Sequence, residues 1–410
     1  MHAAPDDRAA RPPAHRPLRW LLGLYLASAV IVAIQRLQPT PEYNFFIFRA
    51  AFHHLIAGQN LYAAYPAEYA DYFKYSPTFA LLFAPFSVLP PLPAYMLWAV
   101  SCAGAVFAGV TRLLPPRRAA LALVICWLAV VGDLQRAQTN ALSAGLMILG
   151  WVAMERERQW PAAVAIVTGG FIKLFPVAAL AGAVFHGRKR RFAIIVAVAI
   201  VVGAFVPLLA TSWNSLIAQY HWWGVKLRQD SVPMARYGTS GAGLYAGLMG
   251  QFRVWWGVQW PFWPTQLAGT AMLLAPLLRG RAAWTARFRT NFLASILVFC
   301  VLFNHQAESP SYSIAMIGAA IWFAASDRGW WRMALIVACL AIVNVASTDL
   351  MPHAVYDYYV RYLLKTVPLI PLWIMMQAEL WGWVGTDARS EIPEVPEVDE
   401  SDAPVVEPVA

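Results

Sequence analysis

Charge is what this chain has least of: 13% of its 410 residues are Asp, Glu, Lys or Arg, about half the roughly 25% of an average soluble domain. That scarcity excludes water as the solvent for most of its surface. Cysteine is nearly absent too. The four present, Cys102, Cys126, Cys300 and Cys339, sit inside apolar runs without C-x-x-C spacing, so neither a zinc site nor a disulfide framework is indicated and they read as packing residues. No Walker loop, G-x-G-x-x-G fingerprint or H-E-x-x-H occurs, which leaves a nucleotide-driven pump and a zinc protease without support. A soluble chain of this length would show polar linkers between domains, and only one linker-like region is found, at the C-terminus.

What is present is apolar sequence, 60% of the chain. The expected class is therefore all-α: a polytopic integral membrane protein with about 10–12 transmembrane helices. The formal charge of +9 is carried by short basic clusters between apolar runs, the bias of cytoplasmic membrane loops, and is not gathered on one face as a nucleic-acid binder requires. Arg8, Arg11, Arg16 and Arg19 precede a first apolar run from Leu18 to Ile34, which reads as an uncleaved span with its N-terminus inside. Further spans are expected at about 76–90, 93–111, 119–131, 139–153, 160–185, 192–210, 261–279, 290–304, 311–326, 331–347 and 364–383. Two of these runs, "SPTFALLFAPFSVLPP" and "VTGGFIKLFPVAAL", carry internal breakers and suit broken or re-entrant helices.

The implied organisation is a cytoplasmic segment at 1–17, a membrane domain at 18–384 and a disordered acidic tail at 385–410, with both termini cytoplasmic in the inner (plasma) membrane. Outer loops fall at about 37–75, 212–260, 304–310 and 349–362. "HGRKRR", "RGRAAWTARFR" and "DRGWWR" read as cytoplasmic. "RLLPPRR" (112–118) and "ERER" (155–158) conflict with that pattern if every apolar run crosses. In the first outer segment Phe45, Phe48, Phe52 and Leu55 form a stripe at helical spacing, as in an interfacial helix.

Ionisable groups at membrane depth cost at least about 2.5–3.5 kcal/mol each, so the few present are the functional candidates. Glu42, Asn44, Arg49, Glu68, Asp71 and Lys74 lie in the first outer segment, where a carboxylate can serve as a base beside a bound phosphate; the plainer reading is a solvated loop. Asp133, Arg136, Gln138 and Asn140 in "GDLQRAQTN" suit either a polar headgroup or a turn with a helix cap. Lys173 is a lone ammonium in an apolar helix, which snorkels or meets an anion at a helix break. His305 and Glu308 stand three apart between two spans, close enough for one to assist the other in deprotonating a hydroxyl. "YHWWGVKLRQD" (220–230) suits sugar stacking, or the routine anchoring role of interfacial aromatics.

The ordered series "NFFIFRAAFHHLIAGQNLY", "YSPTFALLFAPFSVLP", "AQTNAL", "GGFIKLFPVAAL" and "NHQAESPSYSIAM" resembles glycosyltransferase family 87, multi-spanning members of the C-type superfamily. The similarity covers about residues 40–330. Gly58, Leu61 and Tyr62 match the family's Gly-x-x-Leu-Tyr, Tyr75 to Pro77 match its Tyr-Pro-Pro in part, and Gln138 with Asn140 match its Gly-Gln-x-Asn without the Gly. One departure is chemical. The family's presumed base is an aspartate where this chain has Asn44, and an amide accepts no proton at neutral pH. Another acid, Glu308, Asp71 or Glu42, then has to take that role.

The resemblance implies transfer of a hexose, typically mannose, from a polyprenyl-phosphate donor to a lipid or glycan acceptor at the outer face. Arg49, Tyr75, Arg136, Gln138, Asn140, Lys173 and His305 are the expected substrate-binding residues. No cofactor is implied, a divalent cation is without support, and the partners are the donor, the acceptor and membrane lipids. A lipid transporter or scramblase, and a catalytically degenerate family member, are the competing classes.

Overall fold

The computed structural model describes residues 16–36, 44–231, 247–258, 260–326, 329–346 and 351–384. Glu42 and the acidic tail lie outside the described residues. Within them the chain is helical and without strands. The helices are α1 (Arg16–Gln35), α2 (Asn44–Ile56), α3 (Pro77–Leu82), α4 (Ala84–Val88), α5 (Pro91–Leu113), α6 (Pro116–Gln135), α7 (Asn140–Glu155), α8 (Gln159–Ile172), α9 (Lys189–Phe205), α10 (Trp213–Ser231), α11 (Leu248–Trp256), α12 (Phe262–Leu274), α13 (Ala286–Leu302), α14 (Tyr312–Ala325), α15 (Trp330–Cys339), α16 (His353–Arg361) and α17 (Leu369–Trp381).

Among the described residues, four apolar helices are long enough to cross a membrane: Arg16–Gln35, Pro91–Leu113, Pro116–Gln135 and Lys189–Leu209. A fifth crossing is the pair His353–Arg361 and Leu364–Trp381 if its 73° bend is one broken span. Shorter apolar helices, α7, α8, Ser309–Ala325 and Trp330–Val345 among them, fill the bundle beside these. Every residue of α14 is buried, and such a helix, apolar all round, belongs in the middle of a bundle. It packs against α13 and α6, while α5 lies between α1 and α7.

The two runs with internal breakers form broken helices, each piece shorter than a full crossing needs. Ser76 caps α3 by accepting from Phe79 N, Pro77 takes the first helical position, and the helix yields at Phe83 to α4, which ends ahead of Pro90 and Pro91. Proline at a first position lacks only a donor that would be unpaired anyway. The stripe of α2 covers this broken segment: Phe48 meets Tyr75, Phe79 and Phe83 edge-on with centroids 4.9, 5.1 and 5.3 Å away, and Phe45 and Leu55 are buried. Its apolar face therefore serves protein packing.

The second run turns back. α8 stops at Ile172, Lys173 is extended (φ −141, ψ 146), and Phe175–Phe185 continues as a 3-10 segment. That segment returns to the end of the bundle where α8 began. Arg188 stands 4.0 Å from Glu157, Glu155 accepts both ends of a contact from Arg289 Nε at 2.9 and 3.0 Å, and Arg118 donates to Ala325 O at 2.8 Å. The basic segments 112–118, 155–158, 186–191 and 279–289 thus share one end. The sequence-level conflict came from giving 76–90 and 160–185 one crossing each.

Close approach fixes this packing. A Cβ on Gly145 of α7 would stand 2.6 Å from the Ala105 carbonyl carbon of α5, whereas one on Gly23 of α1 would meet nothing within 4 Å. Gly145→Val is expected to cost about 1–3 kcal/mol by overpacking, read as a lowered thermal unfolding midpoint in detergent, with Gly23→Val near wild type. Equal midpoints for the two variants would contradict the α5–α7 contact.

Candidate functional site

At the end opposite the basic segments lies a cavity of about 640 Å³. Its polar lining includes Asn44, Asp71, Lys74, Tyr75, Gln138, Lys173, Gln266, Asn304, His305 and Glu308, with Trp223, Phe299 and Phe303 among the apolar walls.

The turn from α6 to α7 supplies the base of the site. Asp133, 1% exposed, caps α7 by accepting from Ala141 N at 2.9 Å and from Asn140 Nδ2 at 2.8 Å. A third donor, Ser313 Oγ of α14, stands at 3.2 Å. Asn140 is itself fully buried, and its Oδ1 accepts from Lys173 Nζ at 2.6 Å. One amide therefore joins a buried carboxylate to the ammonium at the cavity wall, donating to the first and accepting from the second, which gives each charge a partner. Lys173 can make this bond because α8 has stopped. Asp133 and Glu308 are the carboxylates whose fields reach its ammonium.

The same turn is strained. Ala137 adopts φ +48, a left-handed conformation that costs an L-residue roughly 1–2 kcal/mol and glycine little. The position is the one at which the Gly-Gln-x-Asn pattern has glycine. Its conformation turns Gln138 to the cavity while Asn140 goes inward to Lys173.

The remaining lining comes from three segments. Asn44, at the start of α2, donates to Arg136 O at 3.3 Å, which ties α2 to the α6–α7 turn. Asp71 and Lys74 pair at 3.1 Å on an exposed stretch, Trp223 Nε1 donates to Lys74 O at 3.3 Å, and Lys226 lies over the Tyr72 ring at 4.1 Å. In the turn between α13 and α14, His305 Nδ1 meets Nε2 of Gln266 on α12 at 3.0 Å, and that nitrogen also donates to Phe303 O at 3.3 Å. The amide nitrogen is thus the donor, and the imidazole carries its proton on Nε2. Burial holds His305 below the ordinary imidazole pKa. Glu308 is exposed at the N-cap of Ser309–Ser311, its N–H donating to Ser311 Oγ at 3.3 Å.

Of the residues expected from sequence, Glu308, Asp71, Asn44, Tyr75, Gln138, Lys173 and His305 line this one cavity, and Asn140 lies directly behind it. Arg49 does not reach it: its guanidinium donates to Phe86 O at 2.6 Å and Leu89 O at 2.9 Å, closing the end of α4. Arg136 faces a different cavity. His305 and Glu308 make no hydrogen bond with each other among the described residues, so neither positions the other directly. Sequence reading put no weight on Gln266 and treated Asp133 as one of several turn residues. The signal for Asp133 was its position, the one carboxylate between the apolar runs 119–131 and 139–153.

The profile of glycosyltransferase family 87 matches residues 73–303, more than half of the chain. The chain belongs to glycosyltransferase family 87. The matched segment holds Lys74, Tyr75, Asp133, Gln138, Asn140 and Lys173, whereas Asn44, Asp71 and Glu308 fall outside it. The fold also resembles the crystal structure of ArnT from Cupriavidus metallidurans bound to undecaprenyl phosphate, with 16% identity and a TM-score of 0.44 over 90% of this chain and 77% of that one. No curated protein matches the sequence.

Two substitutions test this geometry. Ala137→Gly is expected to raise stability by about 1 kcal/mol with the site intact. Asn140→Leu leaves Lys173 and part of Asp133 without a partner, and is expected to cost at least about 3 kcal/mol, the scale of a broken buried charge pair. Thermal unfolding of purified protein checks both, and an Asn140→Leu variant as stable as wild type would refute the linkage.

Proposed function

We propose that this family 87 glycosyltransferase moves a hexose, mannose by its family resemblance, from a polyprenyl-phosphate donor to a hydroxyl of a lipid or glycan acceptor. The reading places the basic end and both termini in the cytoplasm and the cavity at the outer face of the plasma membrane. One observation carries it: two carboxylates, Asp71 and Glu308, and two ammoniums, Lys74 and Lys173, line a single cavity of about 640 Å³.

That set divides into the two tasks of a direct displacement. The acceptor oxygen attacks the anomeric carbon, the bond from that carbon to the phosphate oxygen breaks, and polyprenyl phosphate departs with the electron pair. A carboxylate takes the acceptor proton, and Lys74 and Lys173 oppose the charge growing on the phosphate. Lys173 commits one N–H to Asn140 and retains others for a phosphate oxygen. Attack from the face opposite the leaving group inverts the anomeric centre.

Glu308 suits the base better than Asp71 does. Asp71 is already paired with Lys74, while Glu308 is exposed and in no salt bridge among the described residues. Asn44, at the family's aspartate position, donates to a backbone carbonyl and so orders the turn. The donor's chain has a place to lie. A largely apolar groove of about 390 Å³, lined by Phe252, Trp260, Met272, Trp373 and Ile374, adjoins the cavity through Phe303, which borders both.

The test is transfer from a radiolabelled polyprenyl-phosphate hexose by protein reconstituted in liposomes. Glu308→Gln is expected to reduce turnover by roughly 10²-fold or more, the usual weight of a general base, with its unfolding midpoint unchanged. Asp71→Asn should reduce it less. Wild-type turnover in both variants and in their combination would remove these acids from the mechanism.

A further inference from the structure

A second cavity, of about 360 Å³, lies behind the first. The start of α14 and the α6–α7 turn form the partition. Glu308 and Ser311 line the first cavity and Ser309, Tyr312 and Ser313 the second; Gln138 lines the first and Arg136 the second. Among the described residues, Arg136 and Lys365 border the second cavity, and the carboxylate on its wall is Asp133. That carboxylate is committed to Asn140, Ala141 and Ser313.

Lys365 is the informative member. It is 9% exposed, and its Nζ donates to Ser309 O at 3.1 Å and Ser309 Oγ at 2.9 Å, with the Tyr312 ring 5.1 Å away. No carboxylate pairs with it among the described residues. A buried ammonium held by neutral groups alone, beside a cavity and a second cation, lacks the counter-charge that normally compensates such burial. Arg136 is exposed to the same space and forms no salt bridge among the described residues. An anion with several acceptor oxygens would meet both groups with charge-assisted bonds, and the Ser309 hydroxyl, which accepts from Lys365, keeps its own proton for the same wall.

We propose that the second cavity binds the phosphate group of the acceptor, gripped by Lys365 and Arg136. The site holds a phosphorylated molecule against the partition that carries Glu308, so that a hydroxyl of the same molecule reaches the first cavity around the start of α14. The identity of the ligand as acceptor rests on the transferase reading above; the existence of an anion site does not.

The experiment is calorimetric titration of the full-length protein in dodecyl maltoside, a phosphate-free detergent, with short-chain phosphatidic acid and separately with inorganic phosphate. No sugar donor is present, so the result is independent of whether Glu308 is the base. Two saturable sites are expected for phosphatidic acid. Arg136→Gln and Lys365→Gln should each weaken one of them by roughly tenfold or more, and Lys173→Gln should weaken the other. Arg136 is exposed, so its variant stands even where the buried Lys365→Gln fails to fold, and thermal unfolding identifies that failure. Inorganic phosphate filling the second site as tightly as phosphatidic acid would mark a water-soluble acceptor; selectivity for phosphatidic acid would mark a lipid one. A single site in the wild type, or a second site indifferent to Arg136→Gln, overturns the proposal.

Discussion

The bond from Lys173 to Asn140, and from Asn140 to Asp133, is the constraint to which the rest of this bundle is fitted. An ammonium and a carboxylate placed among apolar helices are tolerable only when each has a partner. A single amide serves both, since its nitrogen donates and its oxygen accepts. For Lys173 to reach that amide, α8 has to end where it does, and for Asn140 to face inward, the α6–α7 turn has to pass through a left-handed residue at Ala137. Two costs, a broken helix and a strained turn, are thus borne for one buried linkage.

The broken helix also sets the topology. Because the chain turns back at Lys173 and α3 and α4 are too short to cross, the basic segments come to one end and the acids and amides of residues 44–75, the α6–α7 turn and the α13–α14 turn come to the other. Glu155 with Arg289 and Arg118 with Ala325 tie the basic end together. A further buried pair, Arg332 with Glu379, which also accepts from Trp322 at 3.0 Å, joins α15, α17 and α14. The polar end is left open as two cavities on either side of the start of α14. A site assembled from segments so far apart in sequence depends on the rigidity of the helices that carry them, and α13 and α14, buried over most or all of their length, supply it.

Much of this was legible in the sequence because membrane solvent imposes strong local rules. Apolar runs, basic loops and internal prolines report helices, ends and breaks directly, and the family resemblance rested on motifs that do line the cavity. What stayed hidden is pairing across distance. Nothing local shows that Lys173 and Asn140, 33 residues apart, share a bond, or that Asp133 is both a helix cap and the far end of that linkage. Arg49 read as a ligand because it is one of the few ionisable groups of its segment and a cation suits a departing phosphate. Its partners are instead the carbonyls that α4 leaves open when Pro90 ends it, a demand visible only once α2 is packed on α4. The stripe of α2 was likewise correct as a face, and the surface it covers was the tertiary fact.

The central claim is that the charged and amide side chains meet at the end of the bundle opposite the basic loops, facing away from the cytoplasm. Thiol labelling tests it most directly, because the four native cysteines are all buried. Gln306→Cys at the cavity and Gly187→Cys in the basic loop would each offer a thiol to a membrane-impermeant maleimide applied to intact cells. Labelling of the Gln306→Cys variant alone, with Gly187→Cys reacting only after permeabilisation, is the expected result. The reverse pattern would put the cavity in the cytoplasm and contradict the account.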